Sequence, residues 1–195
     1  MANDRSIEQP IQNLRMFWWT YAVRGGLAIV FAVVLFLASS FLGIFFFDPV
    51  TLVYMSLLLG SYVLGNGLLL GVAAGFGFEH HLHLWWLTLC ESLFALLLGV
   101  YIGISLIMTP ESLAFLAGIH ALGTGCFQAA LAVKMRENRP ILFLLALTGG
   151  VSVALGVVFL QHFHQAPRVT TQVLSGYELF CGVTSIAFAL RLRAE

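Results

Sequence analysis

Apolar residues run along this chain in long, nearly unbroken stretches, without the period of two that marks a half-buried strand. Six stretches are long enough to cross a bilayer, whose hydrocarbon core of roughly 30 Å takes about 20 apolar residues in a helix. They lie near residues 17–38, 50–75, 85–107, 111–133, 141–161 and 171–191. Asp48-Pro49 and Thr109-Pro110 each put a capping side chain before a proline, a favoured way to begin a helix. Pro167 holds the corresponding place before the last stretch. The pattern predicts an all-α membrane protein of six transmembrane helices, with residues 1–16 as a polar tail and 17–193 as the membrane domain.

The start of the first stretch recurs. Aligning Arg24 with Glu91 lays Trp18-Trp19 on Trp85-Trp86 and Ala28 on Ala95; aligning Arg24 with Thr148 lays Gly25-Gly26 on Gly149-Gly150 and Ala28 on Ser152. The even-numbered stretches align as well. Tyr62, His120 and Tyr177 share one level, Asn66, Thr124 and Cys181 the next, and Gly67, Gly125 and Gly182 follow. A period of about 60 residues fits a helical hairpin repeated three times, with copies near 17–75, 84–134 and 141–193. Small residues recur four apart in each first helix, as Ala28 and Ala32, Ala95 and Gly99, and Ser152 and Gly156. Such a seam lets membrane helices approach closely. Gly25-Gly26 becomes Ser92-Leu93 in the second copy, so close packing at that level need not be threefold.

Composition agrees with the pattern. The chain is 60% hydrophobic and 9% charged, far from the balance of a soluble domain. With no formal net charge and no basic cluster, a nucleic-acid partner is not expected. The expected surroundings are the lipid bilayer, with a second copy or another membrane protein left open as partner. Cys90, Cys126 and Cys181 all fall within spans, are odd in number and form no C-x-x-C; they read as small apolar residues. Arg5, Arg15, Lys134, Arg136, Arg139, Arg191 and Arg193 fall on one side of a six-span arrangement and Arg168 on the other. The positive-inside rule then predicts both termini in the cytoplasm.

The repeated Trp18-Trp19 and Arg24-Gly25-Gly26-Leu27-Ala28-Ile29-Val30-Phe31, the Pro49 connection, and Leu59-Gly60-Ser61-Tyr62-Val63-Leu64 with Gly67 resemble the HdeD-like acid-resistance membrane proteins of bacteria. The later copies carry Trp85-Trp86 with Glu91, and Gly149-Gly150 through Gly156 with Gly176-Tyr177 and Gly182. The resemblance runs from about Phe17 to Arg193 and rests on the order and recurrence of the motifs. It implies a six-span protein of the bacterial inner (plasma) membrane that contributes to acid or general stress tolerance. It carries over no catalytic motif.

Ionisable side chains within a span are costly and mark candidate sites. Arg24 and Glu91 occupy equivalent depths and have opposite charge, which predicts an intramembrane pair. Tyr62, His120, Tyr177 and Glu178 form a second candidate, a mid-membrane polar cluster that serves either as a satisfied hydrogen-bond network or as a proton relay. His162 and His164 are candidates for pH sensing at the external face. His80, His81 and His83, beside Glu79, are weak metal candidates, because no further ligand spacing supports them. No nucleophile–base set, paired aspartates or H-E-x-x-H occurs, so neither an enzymatic activity nor a cofactor is expected. The main expectation is a non-enzymatic membrane protein; the alternative is a small-solute or proton transporter or channel using Arg24, Glu91, His120 and Glu178.

Overall fold

The computed structural model describes residues 18–41, 49–79, 85–105, 108–134, 139–161 and 167–194. Among them lie six helices, α1 (Trp18–Phe41), α2 (Pro49–Glu79), α3 (Trp85–Ile104), α4 (Pro110–Lys134), α5 (Arg139–Gln161) and α6 (Pro167–Ala194). All six are long and apolar enough to cross a membrane. Each second helix begins on its proline, whose missing N–H costs nothing in the first turn. At α4 the cap is visible: the Ser112 amide donates to Thr109 Oγ1 at 3.2 Å, and the Leu113 amide to the Thr109 carbonyl at 3.1 Å. The capping residue proposed for α2, Asp48, lies outside the described residues, as does the tail 1–16. The helices overrun several expected ends, α2 by about a turn, because apolar and small residues continue from Gly75 to Phe78 with no proline to stop the helix.

The helices form a ring in chain order that closes from α6 back to α1. The most extensive packing joins α2 with α3, α4 with α5, and α6 with α1, whereas α1 with α2, α3 with α4, and α5 with α6 touch more lightly. Close contact therefore runs between successive copies of the repeat rather than within one. The second helices lie further in, since α2 also touches α4, and α4 touches α6.

Glycine explains the close pairs. A Cβ added at Gly182 would stand 2.8 Å from the Gly25 carbonyl oxygen, and one at Gly125 would stand 2.9 Å from that of Gly149. Those distances leave no room for a side chain, so the backbones meet where only hydrogen lies between them. In the second copy the same crossing sets Gly67 against Ser92, and the serine hydroxyl donates to the Gly67 carbonyl at 2.8 Å. The crossing thus recurs in all three pairs, with a small hydroxyl where two copies have glycine. About two turns along α3 and α5, Gly99 and Gly156 repeat the close approach, against Leu64 and Leu122. Large apolar side chains such as Val30, Phe36, Tyr54, Leu97 and Ile104 point outward, the face a lipid-embedded bundle presents.

Candidate functional site: a polar column inside the ring

The inner helices direct one polar stripe each towards the centre. Residues four apart share a helix face, which aligns Gln128, Thr124 and His120 on α4, and Ser185, Cys181 and Tyr177 on α6. On α2 the corresponding residues are Leu70, Asn66 and Tyr62. The Arg193 guanidinium lies 5.1 Å over the Trp18 ring, so the start of α1 and the end of α6 share one end of the bundle. From that terminus end the levels run inward from Gln128 to Thr124 to His120.

At the terminus end a recess of about 30 Å³ is lined by Tyr21, Arg24, Thr88, Glu91, Gln128, Thr148 and Ser185, with apolar neighbours. Arg24, Glu91 and Thr148 are the three equivalent positions of the repeat, so the recess lies where the copies converge. Arg24 Nη2 lies 3.0 Å from Glu91 Oε1, and each side chain keeps 12% exposure. The pair joins α1 to α3 across the recess, a span the long guanidinium arm makes possible. Thr148, uncharged, donates its hydroxyl back to the Leu144 carbonyl at 2.6 Å, the local bond that satisfies a threonine inside a helix.

Two turns deeper the ring closes on Tyr62, His120, Tyr177 and Glu178, all buried. The Tyr62 hydroxyl donates to Glu178 Oε2 at 2.5 Å, and the Tyr177 hydroxyl donates to Ser152 Oγ at 2.9 Å. Phe31 stacks on Tyr62 with centroids 4.1 Å apart, and His120 meets Tyr62 edge-on at 6.2 Å. Glu178 occupies the level at which the other copies place Val63 and Ala121, both wholly buried. One carboxyl thus enters a layer that two copies keep apolar. His120 Nε2 and Asn66 Oδ1 are buried and, among the described residues, have no hydrogen-bond partner; Gln128 Oε1 shares that condition nearer the recess.

Beyond this layer the character changes. A second recess of about 60 Å³ is lined mostly by apolar side chains, among them Phe31, Leu35, Met55, Leu59, Leu113 and Leu174. The column is polar from the terminus end to the middle and mostly apolar from there to the opposite end, where Thr170 and Thr171 add hydroxyls, and the Phe31–Tyr62 stack and the Glu178 layer stand between the two recesses.

The two groups singled out in the sequence therefore stand at different depths of one column. Ser92, Ser152, Phe31 and Gln128 join them, none with a polar or aromatic role expected from the sequence: Ser92 faces Gly67 of another copy, whereas Ser152 meets Tyr177 and Phe31 meets Tyr62 within one copy. Cys181 lies beside the cluster, its Sγ 4.0 Å from Ser152 Oγ, while Cys90 and Cys126 are exposed on the outer surface. His80, His81, His83, His162 and His164 lie outside the described residues. Among the described residues no group of three or more His, Cys, Asp or Glu could hold a metal ion. No family model, curated protein or solved structure matches the chain.

Proposed function

We propose that this chain is a non-enzymatic, multi-pass protein of the bacterial inner membrane, of the HdeD-like type, with both termini in the cytoplasm and a role in acid or general stress tolerance. The observation that carries this reading is the buried column itself: carboxyl, imidazole and phenol groups gathered within a bundle whose helix crossings are locked by glycine. A charged side chain such as an aspartate at the centre of a spanning helix costs about 2.5–3.5 kcal/mol on insertion scales, so an acidic residue there is not placed idly. A protein needing only a stable bundle would keep the apolar choice its own repeat supplies at Val63 and Ala121. Retaining Glu178 there supports a role that depends on proton activity. The test is survival of the native host at low external pH after deletion of the gene, complemented by the parent or by Glu178→Gln. Loss on deletion, with poorer rescue by Glu178→Gln, is expected; survival equal to the parent's in acid and in other membrane stresses would sink the proposal.

A second reading, passage of protons or a small solute, draws on the two recesses that approach the Glu178 layer from opposite ends. Proton flux measured in vesicles containing the parent or Glu178→Gln separates the two readings. Equal flux removes the transport reading.

A further inference from the structure

We propose that the Glu178–Tyr62 pair is a binding site for one exchangeable proton, reached through water from the terminus end of the ring and shut off from the opposite end. The proposal rests on the reading of the column as an intramembrane site and names its ligand and its route.

Charge sets the requirement. Among the described residues the buried carboxyls are Glu91 and Glu178, and Arg24 contacts Glu91. Glu178 has the Tyr62 hydroxyl on one oxygen, and its own and the adjoining level carry hydroxyl, thiol, imidazole and amide groups: Tyr177 and Cys181 on its own helix, Ser152 on α5, His120 and Thr124 on α4, and Asn66 on α2. Arg24 on α1 and Glu91 on α3 stand towards the recess, where the guanidinium contacts Glu91 at 3.0 Å. A carboxyl so placed is neutralised most simply by a proton. No covalent step is involved: the proton arrives from water, binds a carboxyl oxygen and leaves the same way.

Geometry sets the route. Gln128 at the recess, Asn66 one level deeper and His120 beside Tyr62 each hold a buried polar atom without a partner among the described residues. Asn66 and His120 are 3% and 6% exposed, and buried polar groups of this kind are where internal water binds. These atoms fall on successive turns between the recess and Glu178, so water bound to them would link the two. Past Glu178 the lining turns mostly apolar, with Phe31, Leu59 and Leu174 next to the layer and side-chain hydroxyls at Thr170 and Thr171 alone, so it offers water far fewer polar partners than the terminus end.

Infrared spectroscopy of the full chain in phosphatidylcholine–phosphatidylglycerol vesicles tests both parts. The parent should show a carbonyl band of a protonated carboxyl that shifts in heavy water, is lost in Glu178→Gln and persists in Glu91→Gln. Tyr62→Phe keeps the carboxyl but removes its donor, so the band should move; this variant also stands in if Glu178→Gln does not fold. For the route, Ser185→Phe at the polar recess should slow deuterium exchange of the band, and Leu113→Phe at the apolar recess should leave it unchanged. A parent without the band, or a band unaltered by Glu178→Gln and by Tyr62→Phe, overturns the site. Slowing by Leu113→Phe but not by Ser185→Phe overturns the route. A band that behaves as expected in a protein whose loss has no stress phenotype would leave the site standing and remove the cellular role.

Discussion

Arg24 and Glu91 meet through single side-chain atoms 3.0 Å apart in surroundings that leave each 12% exposed. Removing one partner from a buried pair strands the other, at a cost of about 3–5 kcal/mol. Arg24→Ala and Glu91→Ala should each lower the melting temperature in detergent sharply, and the double variant should lose less than the sum; additive losses would show that the pair is not coupled. Ser92 allows a finer test. Ser92→Ala removes one interhelical hydrogen bond, worth about 0.6 kcal/mol on average in membrane proteins, so its melting point should fall slightly, whereas Ser92→Leu should fall much further by forcing α2 and α3 apart. The shared depth of Arg24 and Glu91 was legible in the sequence, because equivalent positions of a repeat lie at equivalent heights. Opposite charge at that depth already predicted the pair; which helices surround it in the recess was not legible. The same holds for Phe31 on Tyr62: neither residue's own segment says that the other ring lies beside it.

At the scale of the helix, glycines fall into two kinds that the sequence does not distinguish. A Cβ at Gly125 would meet the Val153 amide nitrogen at 2.8 Å, while one at Gly150 would meet nothing within 4 Å. Gly125→Val should therefore cost about 1–3 kcal/mol through overpacking. Gly150→Ala should be neutral or stabilise by up to about 1 kcal/mol, as alanine is the better helix former. Thermal unfolding of the two variants beside the parent checks the contrast; equal effects would mean that the crossings are not tight. The spans were legible because crossing a bilayer demands an apolar run of fixed length. The pairing was hidden because lipid rewards no particular apolar face, so hydrophobic periodicity cannot say which side of a helix meets another helix.

For the whole molecule, the proposed orientation sets Lys134 and Arg139, with both termini, in the cytoplasm. Fusions of a cytoplasmic fluorescent reporter and a periplasmic phosphatase reporter after residue 195 should give fluorescence without phosphatase activity; the reverse result would invert the topology. The threefold order of the chain was readable from its recurring motifs, yet the ring was not, because its strongest joints lie between copies. Two of those joints connect helices adjacent in the chain, and the third connects the first helix with the last. Since α1 and α6 already meet at the terminus end, a circularly permuted chain, with α6 linked to α1 and opened between α2 and α3, would retain every helix contact. The same logic suits assembly from separate parts: three free copies of an ancestral hairpin, each offering its second helix to its neighbour's first, would close the same ring as a trimer.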